Sequence, residues 1–268
     1  MNLCLFFEGT GSGVAGNITN VTRMKDLCRE DAEQRIHLEP GPGAQFPSLI
    51  GGKLAGTDWR RIFRSACNWF ETNSKVPSTG TTRTHVFLFG FSRGAFLARH
   101  FADWLDKRET AVDYLGLWDT VDAIPGIDVA ETCPPNVRAV RHAIARDEER
   151  RFFTPVRINA NPAATKQRIT EILFPGSHSD VGGLYDDNHV VADVSLAWIA
   201  AGAKREGLRL RTGIDIRQKA HGTPVFHDSH TMVSNAWGAF GRVKRCLKGL
   251  RLHRSFWQGG GGARADVR

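Results

Sequence analysis

The stretch from Thr84 to Arg99 limits what this chain can fold into more than any other. Val86, Phe87, Leu88 and Phe89 form a short apolar run, mostly β-branched or aromatic, between Thr84 and Gly90. A run of that length reads as a strand buried on both faces of a parallel sheet. Ala95, Phe96, Leu97, Ala98, Phe101, Ala102 and Leu105 then recur at helical spacing. Between strand and helix lies Gly90-Phe91-Ser92-Arg93-Gly94, a G-x-S-x-G pentapeptide. In so tight a strand-to-helix turn, the positions two before and two after the serine have no room for a side chain, and Gly90 and Gly94 meet that demand. Ser92 is then held on a strained corner with its hydroxyl free and the Arg93 N–H aimed at a reacting carbonyl. The plainer readings are a serine that only caps the helix and a phosphate-binding turn. The segment lacks both the G-K-[ST] ending of a P-loop and the G-x-G-x-x-G of a dinucleotide site.

Other segments supply neighbours for this unit. Leu3 to Phe7 reads as a strand running into Glu8-Gly9-Thr10-Gly11-Ser12-Gly13, a loop rich in backbone N–H groups. Gln34 to Leu38 is a second strand, stopped by Glu39-Pro40-Gly41-Pro42-Gly43. Tyr114 to Trp118 ends in Asp119, and Arg168 to Phe174 runs into Pro175-Gly176-Ser177-His178. A short helix is expected from Thr19 or Asn20, and another with Trp59, Ile62, Phe63, Ala66, Cys67 and Phe70 on one face. A third starts at Asp193 and stops at Gly207. Val137 to Arg151 reads as a helix whose charged end, Asp147 to Arg151, is laced by ion pairs. Strands alternating with helices imply an α/β fold of the α/β-hydrolase kind, with a mostly parallel central sheet and helices on both faces.

Three strand-like runs thus end at Ser92, Asp119 and His178. In a parallel sheet all strand C-termini share one edge, so these side chains converge although they are far apart in sequence. Their order, Ser then Asp then His, is that of a hydrolase triad. His178 takes the proton of Ser92, Asp119 orients the imidazole, and the backbone at Arg93, Gly9 and Thr10 forms the oxyanion hole. His227, which follows the apolar Thr223 to Phe226, is the rival base, and Asp180 is the rival acid. A metal site at His178, Asp180, His227 and His230 has no H-E-x-x-H or equivalent spacing behind it. No cofactor and no metal are expected.

Composition narrows the function classes. The chain has 268 residues, 41% hydrophobic and 24% charged, as in an ordinary globular domain. The five cysteines are scattered and have no C-x-x-C spacing, which argues for reduced thiols. Met1 to Glu8 reads as a strand, with no basic n-region of a signal peptide. Residues 242–268 hold eight lysines and arginines against one acid, Asp266, so nearly all of the +8 net charge sits there. The sequence therefore divides into a catalytic domain, 1–241, and a basic, partly flexible tail, 242–268. The basicity belongs to the tail, so no nucleic-acid partner is expected. In the tail Phe240, Val243, Leu247 and Leu250 make one helical stripe ringed by cations, with Phe256 and Trp257 further on. Such a helix suits an anionic membrane surface; the plainer reading is a stripe packed on the body of the domain, with its charges solvated.

Several pieces together resemble a known family. They are Phe6-Phe7-Glu8-Gly9-Thr10, Thr19-Asn20-Val21, Gln34 to Gly43, Gly90-Phe91-Ser92-Arg93-Gly94-Ala95 with Ala98-Arg99, Gly116-Leu117-Trp118-Asp119-Thr120-Val121, Asp147 to Pro155, Phe174-Pro175-Gly176-Ser177-His178-Ser179-Asp180-Val181-Gly182-Gly183 and His227-Asp228-Ser229. The set resembles the α/β-hydrolase domain of type VI secretion phospholipase effectors, the Tle lipases, over roughly residues 3 to 235. The family usually has Asp where Glu8 stands. The resemblance implies a Ser92–Asp119–His178 triad and phospholipase A-type cleavage of glycerophospholipid esters. It also implies a secretion-system or immunity-protein partner, and export to a target cell. The residues by themselves imply only acyl transfer, which leaves open a soluble ester or thioester substrate, or a silent scaffold that binds a membrane or a partner.

Overall fold

The computed structural model of the protein describes residues 1–10, 18–42, 59–75, 83–121, 129–164, 166–212, 223–229 and 243–254. In chain order the elements are β1 (Asn2–Phe7), α1 (Asn20–Leu27), β2 (Gln34–Glu39), α2 (Trp59–Ser74), β3 (His85–Phe91), α3 (Arg93–Asp106), β4 (Tyr114–Trp118), β5 (Ala139–Ala145), β6 (Arg168–Phe174), α4 (His178–Gly182), α5 (Val190–Arg205) and β7 (Arg251–Leu252).

Successive strand side chains point to opposite faces, and in β1 and β3 both faces are apolar. Leu3, Leu5, Phe7, Val86 and Leu88 pack against Ile62, Ala66 and Phe70 of α2 and Phe96, Phe101 and Leu105 of α3. Cys4, Phe6, Phe87, Phe89 and Phe91 pack on the other face against Val21 and Met24 of α1 and Leu196, Ile199 and Ala203 of α5. Each such buried Leu or Phe contributes about 1.5–3 kcal/mol, which is why these strands sit in the middle of the sheet.

The sheet has seven strands in the order β2-β1-β3-β4-β5-β6-β7, and every pair is parallel. From β1 the chain steps outward to β2, then returns to place β3 on the other side of β1. The direction of winding therefore reverses between β1 and β3, and open α/β sheets bind ligands in the crevice at such a point, outside the strand C-termini. The Glu8–Thr10 loop and Ser92 leave the sheet there.

Two expectations are corrected. Val137 to Arg151 is not a helix: Ala139 to Ala145 is the interior strand β5. Ala139, Ala143 and Ala145 line one face of it, and alanine, a weak strand former, hid the two-residue period. Pairing on both sides, with β4 and with β6, overrides that propensity. The basic tail does not continue as a helix over 243–254 either. Gly249, at φ +77°, turns the chain, Leu247 is buried against Ile144 and Leu173, and Arg251–Leu252 forms β7 on the edge of β6. Phe240, Phe256 and Trp257 lie outside the described residues, as do Gly11 to Gly13.

Candidate active site

Ser92 stands between β3 and α3 with φ +59° and ψ −126°, a conformation that L-residues avoid. The close packing around it explains the flanking glycines. A Cβ on Gly90 would lie 2.5 Å from the Gly94 carbonyl oxygen and 2.7 Å from the Ala95 nitrogen, and one on Gly94 would overlap the Phe7 and Glu8 carbonyls. The Ser92 N–H donates to the Trp118 carbonyl at 3.0 Å, which ties the corner to the end of β4. Ser92 occupies the N-cap position of α3, but its hydroxyl makes no cap bond to the helix.

Asp119, the residue after β4, is also at positive φ, +39°. Its N–H donates to the Ala143 carbonyl at 2.7 Å, and its Oδ1 accepts from the Ala145 N–H at 2.9 Å. Its Oδ2 lies 2.6 Å from His178 Nδ1. Burial alone would raise this carboxyl, but the Arg245 charge and the His178 hydrogen bond outweigh it and hold the group well below the usual carboxylate range. An ionised carboxylate only accepts, so Nδ1 carries the proton and Nε2 carries the lone pair.

His178 is the first residue of α4, a short helix closed by a capping box between Ser177 and Asp180. Its ring stacks on Phe91, the neighbour of Ser92, with centroids 4.5 Å apart, and meets the Phe153 ring edge-on at 4.9 Å. Burial pushes the imidazole below its ordinary value against the pull of Asp119, so the ring is neutral at rest. No hydrogen bond joins Ser92 to His178; in resting sites such a bond is often long and closes only around substrate.

The rivals form a separate pair. His227 Nδ1 lies 2.6 Å from Asp180 Oδ1 and its Nε2 3.0 Å from Asp187 Oδ2, while its ring stacks on Tyr185 at 3.8 Å. With both nitrogens held by carboxylates, His227 has none left for Ser92. Asp180 also accepts from the Ser177 N–H and hydroxyl. This pair fastens residues 223–229 to the start of α4.

At the proposed oxyanion loop, the Gly9 N–H turns back to Glu8 Oε2 at 3.3 Å. The Glu8 carboxylate is buried and accepts from the Thr19 hydroxyl at 2.7 Å and from the Thr22 hydroxyl. It clamps this loop to the start of α1. Thr10 Oγ1 is buried without a hydrogen-bond partner among the described residues. Arg93 opens α3, where backbone N–H groups and the positive end of the helix face the elbow.

Two contacts were not legible in the sequence. Glu148, weighed only as one acid of a helix end, accepts from the His178 N–H at 3.2 Å and from the Ser229 hydroxyl at 3.0 Å. Arg150 holds both of its oxygens at 2.9 Å. Arg245, from the basic tail, forks onto Asp119 at 2.7 and 2.9 Å. Asp147 to Pro155 belongs to the family resemblance but gives Glu148 no role, the residues around Arg245 carry no motif, and the partners are 30 and 126 residues apart. Among the described residues no cluster of histidine, cysteine and acids could hold a metal, and no helix is long and apolar enough to cross a membrane. His230 lies outside those residues.

No curated protein sequence matches the chain. Among solved structures it resembles an uncharacterized protein from Pseudomonas aeruginosa, at 16% identity and TM-score 0.56 over 83% of this chain and 49% of that one. It also matches the Tle1 effector bound to the VgrG spike of the type VI secretion system, at 19% identity and TM-score 0.48, over 69% and 51% of the two chains. The RedJ thioesterase of Streptomyces coelicolor matches at 14% identity and TM-score 0.44 over 75% of this chain and 89% of that one. The chain spans about half the length of the first two, 49% and 51%. The first of the three supports the fold. The family model described as "T6SS, Phospholipase effector Tle1-like, catalytic domain" matches residues 1–108 and 101–202. With two matches that together span residues 1–202, most of its length, the chain belongs to the family of Tle1-like catalytic domains of type VI secretion phospholipase effectors.

Proposed function

We propose that the chain is a serine ester hydrolase that cleaves fatty-acyl esters of phospholipids, a phospholipase A-type effector domain. The observation that carries this reading is the strained Ser92 corner beside the buried Asp119–His178 pair, with Phe91 stacked on His178 at 4.5 Å. In this reading Ser92 Oγ attacks the acyl carbonyl and His178 Nε2 takes the hydroxyl proton. Asp119 keeps the imidazole in its Nδ1–H form and stabilises the imidazolium. The tetrahedral oxyanion is met by the Arg93 N–H on one side and by Thr10 on the other, since Gly9 turns its N–H to Glu8. Imidazolium then protonates the leaving lysolipid oxygen, and water, deprotonated by His178, releases the fatty acid.

The lipid substrate and export through a type VI secretion system rest on the family, not on the geometry. The test is mass spectrometry of products after incubation with mixed phospholipid vesicles. Free fatty acid and lysophospholipid in equal amounts support the proposal. Intact phospholipid alongside rapid cleavage of a soluble short-chain ester or thioester would replace the lipid with a soluble substrate.

A further inference from the structure

Asp119 is fully buried, and its two oxygens are shared out with no slack. Oδ1 takes the Ala145 N–H and Arg245 Nη1; Oδ2 takes His178 Nδ1 and Arg245 Nη2. The guanidinium is itself anchored. Nη1 donates to the Ala145 carbonyl at 2.8 Å, and Nη2 donates to the Phe153 carbonyl. The segment that delivers Arg245 is fixed on both sides, by the Val243 N–H on the Glu149 carbonyl at 2.9 Å and by Leu247 in its apolar pocket, with β7 following. The Arg245 side chain is only 3% exposed. A cation sealed onto this carboxylate is not solvated surface charge.

We propose that Arg245 is a positioning residue for the Asp119–His178 pair, so that residues 243–254 complete the active site from the far end of the chain. The inference rests on the triad reading above. The planar fork holds the carboxylate plane so that one oxygen meets Nδ1, which a lysine cannot do with its single ammonium. Its charge also opposes protonation of His178. The charges facing that ring are Asp119 just after β4, and Glu148 with its partner Arg150 beyond β5; Arg245 reaches it through Asp119. Asp180, on the same helix as His178, is engaged by His227. Removing the Arg245 charge therefore leaves the imidazolium better stabilised and the base harder to deprotonate, even as its orientation is lost.

The experiment compares Arg245→Lys, Arg245→Met and, as a control, Lys248→Met at an exposed position of the same segment. Each full chain is assayed with 4-nitrophenyl butyrate, and His178 is titrated by nitrogen-15 NMR, its signals assigned by their loss in His178→Ala. Arg245→Lys should keep the His178 titration midpoint and KM but lower kcat by about tenfold to a hundredfold. Arg245→Met should lower kcat further and raise the midpoint by about one unit or more. Lys248→Met should match wild type. Wild-type kcat in Arg245→Lys, or an unmoved midpoint in Arg245→Met, would overturn the inference. If Arg245→Met does not fold, the lysine variant decides alone. If Ser92→Ala hydrolyses the ester as fast as wild type, it is the triad reading that fails, and the midpoint shift still reports whether Arg245 is coupled to His178.

Discussion

His178 Nδ1 lies 2.6 Å from Asp119 Oδ2, a contact between the first residue of a short helix after β6 and the positive-φ residue that follows β4. The two come from strands separated by β5 in the sheet. The pair therefore exists only once β4, β5 and β6 are in register, and the chemistry is inseparable from the fold.

Substituting His178→Ala should reduce ester hydrolysis as far as Ser92→Ala does, and the double variant should be no worse, because triad members act as a unit. His227→Ala should retain most activity, since both ring nitrogens of His227 are occupied by Asp180 and Asp187. Steady-state kinetics on the four proteins decide this. A dead His227→Ala beside an active His178→Ala would move the base to His227.

The acid limb of kcat/KM should lie below the ordinary histidine value of about 6.5. Burial pushes His178 down, and the proposed mechanism needs it neutral. Stability should also fall as pH falls, by linkage. A depressed group contributes fully above its unfolded pKa, so the share due to His178 begins to be lost below about pH 6.5 and that due to Asp119 below about pH 3.9. Rate and melting temperature followed across pH 3–8 test both. An acid limb centred above pH 7 would mean that Asp119 dominates the imidazole.

Gly94→Ala should prevent folding or lower the melting temperature steeply, because the new methyl would overlap the Phe7 and Glu8 carbonyls, which cannot move without breaking β1. Gly207→Ala is the comparison: its φ is +100° but nothing lies within 4 Å of the added methyl. It should cost only about 1–2 kcal/mol of left-handed strain. Thermal melts of the two separate overlap from strain, and equal losses would contradict the packing described at the elbow.

Much of this was legible because it rests on local pattern. The two-sided apolar runs of Leu3 to Phe7 and Val86 to Phe89 announce central parallel strands, and the paired glycines around Ser92 announce the tight corner. The residues after β4 and β6 follow from strand ends alone. What stayed hidden depends on partners distant in sequence. Ala139 to Ala145 is a strand because β4 and β6 pair with it, not because of its own propensities. Arg245 looked like one more cation of a basic stripe, and nothing local distinguishes it from Lys244 or Lys248. Only the return of the chain past β6 brings it to Asp119. The same return buries Leu247 against Ile144 and Leu173, the packed alternative to a membrane-facing stripe.

The most direct test of the central claim is covalent labelling of the folded protein by a fluorophosphonate, followed by peptide mass mapping. A single adduct on Ser92 is expected, absent from Ser92→Ala and formed far more slowly in His178→Ala. An unlabelled Ser92 in protein that still hydrolyses esters, or an adduct on another residue, would contradict it.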